Sequence, residues 1–178
     1  MAVGDAGIRW FSPDPRGIIP LDTFHTPRRL ARVVRGGGFT IAIDTDFAAV
    51  IRACAEADRD EEEGGTWIDA EIIESYTALH AAGYAHSVEV WQEGRLAGGL
   101  YGVAIGGAFF GESMFHHVTD ASKVALVGLV ERLRKRGYML LDTQWTTEHL
   151  EQFGAIEIPR REYFKRLTAA LQVDCSFA

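Results

Sequence analysis

HSVEVWQEGRLAGGLYGVAI, residues 86–105, decides the fold. The stretch holds two strand-like runs, 86–92 and 95–105, separated by Glu93-Gly94, the kind of residue pair that closes a compact hairpin. Gly106-Gly107 leads at once into a third strand at about 107–111. Strands joined by such short connections pair antiparallel. Next comes a long helix, with Asp120 at its capping position and Gly137 just past its end. A strand at 138–144 (YMLLDTQ) follows. Strand, crossover helix and strand give a parallel pair. Antiparallel strands that run into a β-α-β unit predict a mixed sheet packed with helices, an α+β arrangement.

Upstream, Asp69 to Ala82 reads as an amphipathic helix with Ile72, Ile73, Tyr76 and Leu79 on one face and Gly83 as its stop. Asp46 to Ala57 repeats the pattern with Phe47, Val50, Ile51 and Cys54, after a short strand at 39–43. A helix is expected over 27–35, with Thr26 as cap, Pro27 in the first turn and Gly36-Gly37-Gly38 as its end. Residues 10–20 (WFSPDPRGIIP) hold three of the five prolines and predict an extended, turn-rich lead-in. Downstream, a short helix from about 146 to Gly154, a strand at 155–158 and a helix at 160–171 complete the order. The chain divides into an N-terminal segment with the basic helix, 1–37, and a main domain, 38–178. This order of elements resembles the GNAT-type (N-acetyltransferase-like) fold, whose members move acyl groups onto amines; a fold by itself does not establish a function.

The 178 residues suffice for a proper core, and 47% hydrophobic with 24% charged residues is an ordinary globular composition. The net charge of −7 excludes a generally basic nucleic-acid coat. It is unevenly spread: residues 56–63 hold six acids and one base, and the rest of the chain is close to neutral. Arg28, Arg29, Arg32 and Arg35 fall within eight residues that contain no acid. No apolar run approaches the ~20 residues of a membrane span, and Met1 to Trp10 lacks the pattern of a signal peptide. Two cysteines, Cys54 and Cys175, are too few for a disulfide framework or a four-thiolate zinc site. A cytoplasmic monomer with no membrane and no DNA partner is expected.

Three stretches are chemically rich. In FFGESMF, 109–115, Glu112 sits among aromatics, where it is either paired, placed to hold a cationic or amine ligand, or an edge-strand carboxylate reaching solvent. In LLDTQ, 140–144, alternation puts Asp142 and Gln144 on one face about 6.6 Å apart, at the strand end where α/β sites sit. A carboxylate–amide pair suits an amine nucleophile, as holder or proton acceptor; alternatively Asp142 caps the helix that starts near Thr146. Arg28, Arg32 and Arg35, at i, i+4 and i+7, share a helix face that either grips phosphates or is simply solvated. His116-His117 and Glu148-His149 show no complete metal-ligand set, so no metal is expected.

Nine stretches, collinear from Trp10 to about Leu167, resemble the leucyl/phenylalanyl-tRNA–protein transferase family. They are WFSPDPR at 10–16, FHxPRR at 24–29, GTWI at 65–68, AHSVEVW at 85–91, GGLYGVA at 98–104, FFGESMF at 109–115, DASK at 120–123, LDTQ at 141–144 and FGAxEIPR at 153–160. The resemblance implies an aminoacyltransferase that moves Leu or Phe, sometimes Met, from aminoacyl-tRNA to the α-amine of proteins beginning with Arg or Lys, which marks them for degradation. It places the catalytic pair at Asp142 and Gln144, and the acid of the aminoacyl-adenosine and acceptor pocket at Glu112. Trp67 takes the aromatic position of GTWI, and Leu100, Leu129 and Leu133 the walls of the side-chain pocket. Tyr101, Gly111 and Ser113 complete the substrate-binding set, and Arg28, Arg32 and Arg35 form the tRNA-binding face. It implies no metal, acyl-enzyme or coenzyme A. Because the family carries a further aromatic-bearing segment before WFSPDPR, this chain reads as an N-terminally short member. Two alternatives stand beside it: a non-catalytic binder of tRNA or protein N-termini, and a coenzyme A-dependent N-acyltransferase, although the R/Q-x-x-G-x-G/A pyrophosphate signature is absent.

Overall fold

The computed structural model of the chain describes residues 2–4, 7–9, 11–57 and 67–177. Trp10 and most of the acidic stretch lie outside them. A two-stranded ribbon, β1 (Ala2–Gly4) with β2 (Gly7–Arg9), precedes a seven-stranded mixed sheet. The sheet contains β3 (Arg16–Ile19), β4 (Thr40–Ile43), β5 (Ala85–Gln92), β6 (Arg95–Ile105), β7 (Ala108–His116), β8 (Leu140–Gln144) and β9 (Ile156–Ile158), in the order β4-β5-β6-β7-β8-β3-β9. The helices are α1 (Arg28–Arg35), α2 (Phe47–Glu56), α3 (Ala70–Ala81), α4 (Ala121–Arg136), α5 (Glu148–Glu151) and α6 (Arg160–Ala170).

The hairpin of β5 and β6 forms where it is expected. Glu93 and Gly94 both take positive φ, 51° and 75°, the conformation whose twist matches paired strands. β4 to β7 pair antiparallel, and α4 carries the chain over to β8, which pairs parallel with β7. Asp46 and Asp69 cap α2 and α3 by accepting from Ala49 N–H at 3.0 Å and Ile72 N–H at 2.9 Å.

Side-chain alternation assigns the two faces of the sheet. Leu100, Phe109 and Leu141 join the core formed with α1, α4 and Leu150 of α5. Their neighbours turn to the other face: Tyr101 packs with α2 and α3, and Ala108 and Leu140 pack with Tyr163 of α6. Two helical layers therefore sandwich the sheet, the mixed helix-flanked α+β architecture expected.

Four local expectations are corrected. β7 runs five residues beyond Gly111, to His116. Arg16–Ile19, inside the proline-rich lead-in, is a strand between β8 and β9. α1 likewise packs on α4. Thr26 makes no cap for α1, whose capping position is held by Pro27. Asp120 takes a left-handed conformation, φ 70°, and its carboxylate accepts from Lys123 Nζ at 3.0 Å instead of capping α4.

Candidate active site

The site lies where β7 and β8 part. Their parallel pairing covers Ala108↔Leu140, Phe109↔Leu141 and Phe110↔Asp142, and beyond it each strand continues on its own. Each carries one extra residue just past the last pair. Against β6, Tyr101 faces Ser113 and Gly102 faces Gly111, which leaves Glu112 as a bulge. Against β3, Gly17 faces Gln144 and Ile18 faces Asp142, which leaves Thr143 as a bulge. Bulges bend strands and re-aim side chains, and here two of them flank an opening in the sheet.

A cavity of about 320 Å³ fills that opening. Leu100, Met114, Leu126, Leu129, Leu141 and Leu150 supply its apolar walls, and Glu112, Ser113, Gln144, Thr143, Thr147 and His149 its polar part. Tyr101 and Gly111 also line it. The cavity sits at the C-terminal ends of two parallel strands, the usual position of a site in such a sheet.

Behind the rim, Asp142 is fully buried and every lone-pair direction is used. Arg16 donates through Nε at 2.9 Å and Nη2 at 2.7 Å, Tyr163 through its hydroxyl at 2.6 Å, and Gln144 through its backbone N–H at 2.8 Å. The Arg16 guanidinium also lies 4.9 Å from the centre of the Tyr163 ring. Burial and the Asp142 carboxylate both push the Tyr163 phenol well above its ordinary value, so it stays a donor. Gln144 holds a positive φ of 60°, and Trp145 N–H closes back on the Thr143 carbonyl at 2.7 Å. This tight turn needs Gly17 opposite it, since a Cβ there would stand 2.4 Å from the Trp145 carbonyl carbon.

Glu112 is a second, half-buried acid at the split. Burial pushes its carboxyl above the usual range, against the pull of a hydrogen bond from Tyr76; the Asp142 carboxylate adds to the rise and Arg16 opposes it. The Tyr76 phenol is raised in turn, by burial first and then by Glu112. Glu112, Asp142, Arg16, Tyr76 and Tyr163 thus form one electrostatic group along the split.

Of the residues singled out from sequence, Leu100, Tyr101, Gly111, Glu112, Ser113, Leu129 and Gln144 meet at the cavity. Asp142 is adjacent but does not line it. Leu133, one turn along α4 from Leu129, is buried in the general core instead, because α4 has by then passed the opening. Trp67 packs at the edge of the core under α2 and α3. Arg28, Arg32 and Arg35 are exposed on α1, apart from the cavity. Sequence reasoning missed Arg16, Tyr163 and Tyr76 as partners of the acids, and Thr143 and His149 as wall residues. The Arg of WFSPDPR and the alternation Leu141–Thr143 were the available signals. Among the described residues no cluster of acids, histidines and cysteines could hold a metal ion, and no helix is long and apolar enough to cross a membrane.

Comparison with known proteins gives the fold and the family. A GCN5-related N-acetyltransferase from Kribbella flavida superposes with a TM-score of 0.50 at 12% identity, over 82% of this chain and 55% of that one, a likeness of fold alone. The leucyl/phenylalanyl-tRNA–protein transferase of Rhodopseudomonas palustris (strain TIE-1) is 55% identical over 177 residues, 99% of this chain and 78% of its own length. That of Rubrobacter xylanophilus is 58% identical over 169 residues, 94% of this chain and 85% of its own. The family model for leucyl/phenylalanyl-tRNA protein transferase matches residues 18–168, and the chain belongs to that family.

Proposed function

We propose that this chain is an aminoacyltransferase that moves a leucyl, phenylalanyl or methionyl group from aminoacyl-tRNA to the α-amine of proteins beginning with Arg or Lys, marking them for degradation. The observation that carries this reading is the leucine-walled cavity at the split of β7 and β8, with Glu112 and Gln144 facing into it. An apolar side chain that is not branched at Cβ fits those walls, and its ester carbonyl then lies towards the rim. A misplaced methyl group costs only about 1–3 kcal/mol in such a pocket, so some breadth in the transferred residue is expected.

The chemistry asks little beyond alignment. The ester is already activated, and an α-amine with a pKa of about 7.7–8.0 is partly neutral at pH 7. Its nitrogen attacks the ester carbonyl, the new amide bond forms, and the terminal ribose oxygen leaves and takes up the proton that the amine gives up. Holding both partners together lowers the barrier by several kcal/mol. Glu112, whose burial raises its affinity for a proton, is suited to accept that proton and pass it on. Gln144 orients the amine or the carbonyl. Asp142, with all its lone pairs engaged, acts as a positioning residue: it fixes the Gln144 turn and holds Arg16 beside it. The exposed arginines of α1 supply a face for tRNA phosphates. An acceptor with a basic first residue has the Glu112 carboxyl to meet at the cavity.

The deciding experiment incubates the protein with radiolabelled Leu-tRNA and peptides beginning with Arg, Lys, Asp or Ala. Label on the Arg and Lys peptides is the expected result. Labelling that occurs only from acetyl-coenzyme A would move the chain to the acyl-coenzyme A class, and binding without any transfer would make it a binding protein.

A further inference from the structure

Two polar atoms in the cavity wall have nothing to bond. Thr143 Oγ1 and His149 Nε2 are both shut off from solvent, and neither meets a hydrogen-bond partner among the described residues. Both residues line the cavity whose apolar walls are leucine and methionine and whose other polar residues include Glu112, Ser113 and Gln144. Buried polar atoms are almost always satisfied, so an orphaned pair on two residues that line one cavity points to a ligand group. The side chains of Leu and Phe carry no polar atom and cannot supply it. A cavity of about 320 Å³ is also more than one such side chain needs; it admits the backbone atoms of the aminoacyl group as well.

Both residues are held in place. Thr143 is the bulged residue of β8, between Asp142 and Gln144, and it lines the cavity together with Leu141. His149 rides on α5, whose start Thr147 caps through its hydroxyl, which accepts from Leu150 N–H at 3.3 Å. Its ring meets Phe153 edge-on at 5.9 Å, and Phe153 stacks on Phe24 at 5.6 Å. Burial, with Lys123 and His116 nearby, lowers the proton affinity of the imidazole. A neutral ring keeps one nitrogen as an acceptor, and a threonine hydroxyl also accepts. On an aminoacyl ester, the donor attached to the same carbon as the side chain is the α-amine.

We propose that Thr143 Oγ1 and His149 Nε2 accept hydrogen bonds from the α-amine of the aminoacyl group, so that the cavity selects donors with a free α-amine over N-acylated ones, peptidyl-tRNA among them. This rests on the transferase reading above. The pocket then reads two substituents of one carbon, the apolar side chain by shape and the amine by hydrogen bonding.

The test compares Leu-tRNA with N-acetyl-Leu-tRNA as donors to an Arg-peptide, for the full wild-type chain, Thr143→Val, His149→Phe and the double variant. The wild type should favour the free-amine donor in kcat/KM by about tenfold or more, since a site built to bond a polar group rejects an analogue that cannot pair with it. Each single variant should shrink that ratio and the double variant bring it near one, mainly through loss on Leu-tRNA. A wild type that uses both donors equally would overturn the proposal. So would variants that lose activity on both donors alike, which is the signature of a structural role. Equilibrium binding of the hydrolysis-proof 3′-leucylamino-adenosine and its N-acetyl form gives the same ratio without transfer. If the wild type labels no peptide, the transferase reading fails, and this binding ratio still decides the role of Thr143 and His149.

Discussion

Arg16 closes on both carboxylate oxygens of Asp142, at 2.9 and 2.7 Å, across 126 positions of the chain. The planar fork of a guanidinium matches a carboxylate in this way and an ammonium does not. The pair ties β3 to β8 at the edge of the cavity and balances the charge of an acid that has no access to water. Removing one partner of a buried pair leaves the other charge uncompensated, at a cost of about 3–5 kcal/mol. Arg16→Ala should therefore lose that much stability in a denaturant titration, and transfer should fall with it. Arg16→Lys should recover only part of each. A variant as stable and as active as the wild type would show that Asp142 does not depend on the fork.

The turn at Gln144 gives a sharper separation of stability from activity. Any Cβ at position 17 meets the backbone of Trp145 and Thr146, the nearest atoms at 2.4, 2.7 and 2.8 Å. Backbone must yield, and overpacking of this kind costs about 1–3 kcal/mol. The segment that moves carries Gln144. Gly17→Ala should therefore keep its fold, with a modest fall in Tm, while its turnover drops by about tenfold or more, since small misplacements of aligned groups are expensive in rate. Comparing the two losses in one preparation checks the point.

These partnerships explain what could and could not be read along the chain. β5, β6 and their turn are local: alternation and Glu93-Gly94 specify them, and the structure agrees. β3 is four residues between prolines whose partners, β8 and β9, lie more than 120 positions away, and strand formation there depends on its neighbours more than on its own residues. The bulge that frees Glu112 is a property of two strands in register and leaves no mark in either one alone. For Asp142 the local reading offered a helix cap, but Thr147 caps α5 and the carboxylate turns inward to Arg16 and Tyr163. The cavity walls from β6, β7 and α4 were largely legible through the resemblance to a family, whereas the partners that hold the acids were not.

Glu112 should make stability depend on pH. Its carboxyl lies above the ordinary value of 4.5, chiefly through burial. A carboxyl raised in the native state is protonated in both states at low pH and contributes its full stability there. That contribution is lost as the pH rises through the native value, because the unfolded chain gives up the proton more readily. Glu112→Gln keeps an acceptor for the Tyr76 hydroxyl and removes the titration. Denaturation at pH 4 and pH 8 should show little difference between variant and wild type at the lower pH and a more stable variant at the higher one. Its transfer rate should fall if Glu112 handles the amine's proton.

The pocket walls should set the preference among donors. Leu129 is 1% exposed and faces the cavity from α4. Leu129→Phe would take up part of the space beside Leu126 and Leu141. A ring in the substrate should then suffer more than a branched butyl group, with discrimination of about 10–200-fold for each misfit of this size. Measured as kcat/KM on Phe-tRNA and Leu-tRNA, the ratio should move towards Leu. An unchanged ratio would mean that the transferred side chain lies elsewhere.

The arginines of α1 allow a test of the tRNA face that leaves the chemistry alone. Arg28, Arg32 and Arg35 are exposed, and no ion pair occupies them among the described residues. Leu30, buried on the other side of the helix, holds α1 against the core without them, so replacing all three with Ala should leave the Tm nearly unchanged. Each phosphate contact steepens the fall of affinity with salt by about 0.7–0.9 on a logarithmic plot. If all three grip phosphates, the triple variant should bind Leu-tRNA more weakly at low salt, with a slope shallower by about 2–3. At high salt the two proteins should converge, because the lost contacts are screened there anyway. Transfer from a short aminoacyl-adenosine donor, which has no tRNA body to bind, should remain at the wild-type rate. A slope equal to that of the wild type would leave α1 as a solvated face and move the tRNA contact to another surface.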